Sequence, residues 1–111
     1  MSFKREYTPE TIAPEQIAQN RGPLVIEFGT NWCGICKGAQ PTIKTAMEPY
    51  PDVEHAKIED GKGHRLGRTF GVKLWPTLIF LRDGKEVTRL VRPRNAEDID
   101  TALAQIVDPN P

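Results

Sequence analysis

Apolar and polar positions follow two different periods along this chain. Leu24-Val25-Ile26-Glu27-Phe28 is a nearly continuous apolar run bounded by Gly22-Pro23 and Gly29. It predicts a central strand buried on both faces. Thr77 to Leu81 is a second such run, and Asp83-Gly84 behind it signals a tight hairpin with Glu86 to Val91 as the returning strand. Val53 to Glu59 alternates as a further strand. Helical spacing recurs in four places. Residues 11–20 predict a short helix, with Pro14 in its first turn and Asn20-Arg21-Gly22-Pro23 at its end. From Cys33 to Tyr50, the positions Ile35, Ala39, Ile43, Ala46 and Met47 share one face. Pro41 should kink that helix, and Pro49 and Pro51 close it. A short helix is expected around Arg65–Phe70. Asn95 caps a last helix, with Asp98 three residues on and Ile99, Leu103, Ile106 and Val107 facing inward. Residues 1–8 carry no period and read as a poorly specified arm with room for a short strand. The order α, β, α, β, α, β-hairpin, α predicts one α/β domain over 1–111, with helices on both faces of a mixed sheet.

Composition narrows the function. A chain of 111 residues fits one domain. Fifteen Lys and Arg balance fifteen Asp and Glu, which argues against a nucleic-acid or anionic-membrane partner, since both demand a basic excess. No apolar run approaches the ~20 residues that cross a bilayer. The N-terminus has basic residues with no apolar stretch behind them, so no secretory signal and a cytoplasmic location are expected. Two cysteines are too few for a disulfide scaffold or a Cys-only zinc site. Zinc shared with His55 and His64 would leave 18 and 8 intervening residues, outside the usual finger spacing, so no metal is expected. The two histidines read as surface residues.

The chemistry concentrates in Trp32-Cys33-Gly34-Ile35-Cys36-Lys37. Two cysteines three apart on a helix have Cα atoms about 5 Å apart, within disulfide reach. Cys33 would sit at the helix N-terminus, where unpaired N–H groups and the dipole favour its thiolate, making it the attacking sulfur. Cys36, one turn in and more buried, would stay a thiol until it resolves a mixed disulfide. Gly34 leaves the approach to Cys33 open. Competing readings are two small buried hydrophobes, half a zinc site, or a degenerate pair on a binding module. The strand-to-helix junction and flanking Trp32 favour the redox pair.

Two further features frame the pair. Pro76 directly precedes an apolar strand, where it cannot donate to a ladder. It reads either as an ordinary strand-entry proline or as a cis-proline turn facing the cysteines, with Trp75 as core filler or a groove wall; the turn and the groove wall are the favoured pair. Glu27 lies mid-strand in an apolar run, six residues before Cys33. A buried carboxylate there would be a proton acceptor for Cys36, with its pKa raised well above a free Glu by desolvation. Lys57, on the neighbouring strand, is its candidate partner.

Taken together, Val25-Ile26-Glu27-Phe28, Trp32-Cys33-Gly34-Ile35-Cys36-Lys37, Phe70-Gly71-Val72, Trp75-Pro76-Thr77-Leu78 and Asp83-Gly84-Lys85 resemble the thioredoxin family in order and spacing, over roughly residues 10 to 107. The resemblance implies a thioredoxin-like fold with a central sheet of four or five strands. It implies a nucleophile at Cys33, a resolving cysteine at Cys36 and a cis peptide before Pro76. The activity implied is protein-disulfide reduction through the Cys33–Cys36 pair without another cofactor. Its partners would be protein disulfide substrates and a flavin-dependent reductase. Several departures stand out. Ile35 replaces the usual proline, which should alter redox poise, and Glu27 replaces the usual aspartate. Leu74 and Trp75 replace a glycine and a smaller aliphatic residue. Arg92 stands where glycine normally leaves room for substrate, with Arg94 nearby. Trp75 and Arg92 both map to the substrate-facing rim, predicting a narrowed or more polar groove. An oxidant or isomerase, and a binding or assembly module with vestigial chemistry, are the alternative functions.

Overall fold

A computed structural model describes residues 3–9 and 12–107. Its elements are α1 (Pro14–Gln19), β1 (Pro23–Gly29), α2 (Gly34–Met47), β2 (Glu54–Glu59), α3 (Leu66–Thr69), β3 (Thr77–Arg82), β4 (Lys85–Val91) and α4 (Ala96–Ala104). The element order is the one expected. Helix α1 is shorter than expected because Pro14 opens it rather than sitting inside it, while the Gln16 side chain accepts the Ala13 N–H. Thr11 lies outside the described residues. Helix α2 runs unbroken through Pro41. Asn95 caps α4 by accepting the Asp98 N–H at 2.8 Å, and Ile106, beyond the helix, is still buried in the core.

The sheet order is β2-β1-β3-β4. β1 pairs parallel with β2 and antiparallel with β3, which explains its burial on both faces and both edges. Asp83 (φ 51°) and Gly84 (φ 81°) make the β3–β4 turn, the double positive φ of a type I′ hairpin. Gly84 is also required by space, since a Cβ there would lie 2.1 Å from the Ala18 carbonyl oxygen.

Alternation along the strands divides the core in two. Val25, Leu78 and Phe80 pack under α2 and α4 with Ile43, Met47, Ile99 and Leu103. Leu24, Ile26, Phe28, Ile58, Ile79 and Leu81 pack on the opposite face with Ile17 of α1 and Leu66 of α3. Glu27 therefore points toward α2, and period two along β2 places His55 and Lys57 on that same side. Among the described residues no helix is long and apolar enough to cross a membrane.

The N-terminal arm is better specified than its sequence indicates. Thr8 bridges Ile58 in parallel, beyond the edge strand β2. Its N–H donates to the Lys57 carbonyl at 3.0 Å, and its carbonyl accepts the Glu59 N–H at 2.7 Å. Tyr7 and Asn31 lock together through Tyr7 N–H to Asn31 Oδ1 (2.9 Å) and Asn31 Nδ2 to the Tyr7 carbonyl (3.0 Å). Tyr7 is only 4% exposed.

Candidate active site

β1 ends at Gly29, and after Thr30 to Trp32 the chain enters α2 with Cys33 as its N-cap residue. Cys33 Sγ accepts the Cys36 N–H at 3.2 Å, so one orphan donor of the helix terminus is spent on the sulfur. Both cysteines are free thiols, Cys33 partly exposed and Cys36 buried. Burial foremost, with Cys33 beside it, pushes the Cys36 thiol up to about 11, against the Thr30 backbone N–H and the Tyr7 hydroxyl, which favour the thiolate. Gly29 is required here. A Cβ on it would lie 2.7 Å from Cys36 Sγ and 2.7 Å from the Tyr7 hydroxyl. At Gly34 a Cβ meets nothing within 4 Å.

Beneath the thiols lies Glu27, fully buried. Its Oε2 accepts the Tyr7 hydroxyl and, at 2.9 Å, Gln40 Nε2. Its Oε1 accepts His55 Nε2 at 3.0 Å. The far ends of the network fix these directions. Lys57 Nζ can only donate, and it donates to Gln40 Oε1 at 2.6 Å, so Gln40 turns its NH2 toward Glu27 and the Cys36 carbonyl (2.8 Å). The Lys4 backbone N–H donates to His55 Nδ1 at 2.9 Å. Nδ1 is therefore an acceptor, and His55 is the neutral Nε2–H tautomer. Both carboxylate oxygens thus face donors, the environment of an ionised Glu27. Burial pushes this carboxyl up, but the hydrogen bond from His55, the Lys57 charge and the Tyr7 hydroxyl outweigh it and hold the pKa below the ordinary value. Lys57 lies over the Tyr7 ring, 4.5 Å from its centroid. Burial lowers its own pKa against the raising charges of Glu27, Cys36 and Glu6.

Above the thiols the surface is apolar and then basic. Trp32 is 72% exposed, and Ile35 and Leu74 are exposed beside it. Trp32 meets Trp75 edge-on with centroids 5.7 Å apart, and Asp60 accepts the Trp75 indole N–H at 2.8 Å. The Trp75–Pro76 peptide is cis. Arg92 takes a left-handed φ of 52°, a conformation that favours glycine. Its N–H donates to the Pro76 carbonyl and its Nε to the Trp75 carbonyl, each at 2.8 Å. Ile35, Pro76, Arg92 and Arg94 line a groove of about 460 Å³ beside the cysteines.

The family model described as Thioredoxin matches residues 7–105. The chain belongs to the thioredoxin family. It is 38% identical to thioredoxin-2 of Saccharomyces cerevisiae over 76% of this chain and 80% of that protein. It is 27% identical to thioredoxin H2 of Arabidopsis thaliana over 74% of this chain, spanning 62% of that protein's length. Reduced thioredoxin 2 of Pseudomonas aeruginosa PAO1 superposes with a TM-score of 0.82 at 48% identity, covering 93% of this chain and 95% of that one. This thioredoxin-family protein is accordingly a protein-disulfide oxidoreductase of thioredoxin-like α/β fold, working through its Cys-x-x-Cys pair.

The structure of this thioredoxin-family chain brings Cys33, Cys36, Glu27, Lys57, Trp32, Gly34, Ile35, Trp75, Pro76 and Arg92 to one end of the sheet. Two expectations are corrected. The Glu27 pKa is lowered, not raised, because three donors and the Lys57 charge outweigh its burial. Lys57 stands in register with Glu27 as the charge partner expected, its ammonium reaching the carboxylate through Gln40 and spending another bond on the Arg5 carbonyl at 2.5 Å. His55 is not a surface residue. It is 2% exposed and bonded to Glu27. His64 is half-buried and pairs with Glu59 at 2.9 Å. Among the described residues no group of three or more His, Cys, Asp or Glu side chains could hold a metal ion.

Sequence reasoning missed Tyr7, Gln40 and His55. Two of them carried a signal. Gln40 is four residues after Cys36 on the same helix face. His55 is two residues before Lys57 and so shares its side of the strand. Tyr7 sits in an aperiodic arm and carried none.

Proposed function

We propose that this thioredoxin-family protein reduces disulfides in protein substrates, with Cys33 as nucleophile and Cys36 as resolving thiol. The observation that carries the reading is the asymmetry of the pair. Cys33 caps the helix, partly exposed, with an N–H aimed at its sulfur, while Cys36 is 1% exposed and held as a thiol. The exposed thiolate attacks a substrate sulfur, forming a mixed disulfide and releasing one substrate thiolate. Cys36 then attacks Cys33 Sγ, closing the Cys33–Cys36 disulfide and releasing the second. Two electrons pass to the substrate with no further cofactor. Glu27 acts as the proton acceptor for Cys36, supported by its ionised state and its burial beneath the pair. Trp32, Ile35, Trp75 and Pro76 form the docking rim around Cys33, with Gly34 leaving it uncovered. Arg92 occupies the Trp75 carbonyl and lends the rim positive charge, which supports a narrowed, more polar groove.

A flavin-dependent reductase returns the electrons, and the protein works in a reducing compartment such as the cytoplasm. Insulin turbidity with the reductase or dithiothreitol as donor tests the reading. Cys33→Ser should abolish reduction, and Cys36→Ser should accumulate a covalent mixed disulfide. Full activity of a Cys33→Ser/Cys36→Ser double variant would overturn it in favour of a binding module.

A further inference from the structure

The Tyr7 side chain lies between the Cys36 thiol and the Glu27 carboxylate. The Tyr7 hydroxyl donates to Glu27 Oε2 and lies beside the Cys36 thiol. Cys36 Sγ and the Tyr7 hydroxyl crowd one point above Gly29, each 2.7 Å from where a Cβ would sit. A hydroxyl has one proton, and here Glu27 accepts it. While Glu27 holds that proton, the Tyr7 oxygen has a lone pair for the Cys36 S–H, and the chain runs Cys36 S–H to Tyr7 O–H to the Glu27 carboxylate; the same hydroxyl can turn to an ionised Cys36 and favour its thiolate. An anion at one end of such a chain polarises the next link and makes the phenol oxygen a better acceptor.

Resting on the reading of Cys36 as the resolving thiol and Glu27 as its acceptor, we propose that the Tyr7 hydroxyl is the catalytic group that carries the proton between them. As the Cys36 sulfur bonds to Cys33 Sγ and the substrate sulfur leaves with the electron pair of the broken bond, the Cys36 proton passes to the Tyr7 oxygen. The Tyr7 proton passes to Glu27 Oε2 in the same event. Tyr7 is unchanged at the end, Glu27 is protonated, and the charge balance is kept by the departing substrate thiolate. A separate phenolate would be costly, since burial and then the Glu27 charge push the Tyr7 pKa up. The two transfers are therefore concerted. Glu27, held below its ordinary pKa, gives the proton back through the same Tyr7 hydroxyl, which together with Cys36, Gln40 and Lys57 lines an open cleft of about 370 Å³. The arm anchors that place the phenol are positioning groups: Asn31 on the Tyr7 backbone and His55 on that of Lys4.

The test separates the two half-reactions. Reduced protein mixed with one equivalent of 5,5′-dithiobis(2-nitrobenzoate) releases one thionitrobenzoate on Cys33 attack and a second on Cys36 resolution. Stopped-flow absorbance resolves both across pH 6 to 10. General acid–base groups are worth about 10²–10⁴-fold. Tyr7→Phe, which keeps the ring, should slow the second release about tenfold or more at pH 7 and make its rate climb steadily with hydroxide. The first release is the internal control. Glu27→Gln should slow the same phase, and Tyr7→Phe/Glu27→Gln should be no slower than the slower single variant, as for one chain. Charged or titrating groups facing the site are Cys33, Glu27, His55 and Lys57, with Arg5, Glu6 and Lys37 at the cleft. The pH profile is therefore compared between variants rather than read alone.

A wild-type second phase in Tyr7→Phe with a slowed one in Glu27→Gln overturns the relay and leaves the base reading standing. Wild-type behaviour in both overturns both. Should Tyr7→Phe fail to fold, a proton inventory of the second phase in H2O/D2O mixtures on the wild-type protein decides. Two protons in flight give a curved dependence, and a linear one overturns the relay.

Discussion

Glu27→Gln is nearly isosteric, yet the network around it has no acceptable place for an amide. If the carbonyl of the substituted amide takes the Oε2 position, its NH2 faces His55 Nε2–H, 3.0 Å away in the wild type. His55 cannot switch tautomer, because its Nδ1 would then oppose the Lys4 N–H at 2.9 Å. If the amide is reversed, its NH2 faces the Gln40 NH2, 2.9 Å away, and Gln40 is pinned by Lys57 and the Cys36 carbonyl. One buried donor is unpaired either way, at about 1–3 kcal/mol. With m about 1–3 kcal/mol/M, the urea midpoint of the reduced protein should fall on the order of 1 M at pH 7. The pH dependence carries a sign. The Glu27 pKa is lowered on folding, so its contribution is complete above the unfolded value of ~4.3 and is lost as pH falls through the folded value. The gap between wild type and Glu27→Gln should therefore narrow in acid. Urea titrations followed by tryptophan fluorescence at pH 7 and at pH 3 measure both. A variant as stable as wild type at pH 7 refutes the assignment of a neutral His55 and a donor-facing Gln40.

Gly29→Ala and Gly34→Ala form a matched pair. The first forces a Cβ to 2.7 Å from Cys36 Sγ and the Tyr7 hydroxyl, while the second meets nothing within 4 Å. Thermal melts should show a loss of about 1–3 kcal/mol or more for Gly29→Ala from overpacking and little change for Gly34→Ala. In a Cys33→Ala background, alkylation of Cys36 by iodoacetamide should keep accelerating past the ~8.5 of a free thiol, because burial is the main cause of its raised value. A plateau below pH 8 would count against that. Arg92→Gly removes a left-handed non-glycine residue, a strain of about 1–2 kcal/mol, along with its bond to the Trp75 carbonyl. Stability should move little as these offset, and KM for an uncharged peptide disulfide should fall several-fold as that carbonyl becomes available. An unchanged KM would place the carbonyl outside the substrate's reach.

The parts of the site legible in sequence are those whose signal is local. The cysteine spacing, the strand-to-helix junction and the charge in an apolar run each fall within a few residues, so period and composition expose them. Register is half legible. Glu27 opposite Lys57 follows from two neighbouring parallel strands, and the same alternation places His55 beside them. Yet a histidine at an alternating position looks identical whether the face is wet or dry. What makes that face dry is the arm, with Phe3 against His55 and Tyr7 under Lys57. Nothing in residues 3–8 announces this, since their pairing depends on Asn31, His55 and Ile58, each far along the chain.

That dependence also explains why the direction of the Glu27 shift is not legible in sequence. Desolvation can be anticipated from an apolar strand, but compensation comes from donors on three separate segments: Tyr7, Gln40 and His55. A buried carboxylate with one distant ammonium would be driven toward its neutral form. With three donors whose directions are fixed from outside, the ionised form is the one the fold completes. An ionised acceptor under Cys36 binds a proton only in passing, which suits a reaction that must take the proton during sulfur attack and clear it before the next turnover. On the proposed relay, the arm belongs to the chemistry. Deleting residues 1–8 should leave a protein whose Cys33 still attacks disulfides but whose Cys36 resolves them slowly, with mixed disulfides accumulating in non-reducing gels. Equal resolution rates with and without the arm would place the proton's route elsewhere.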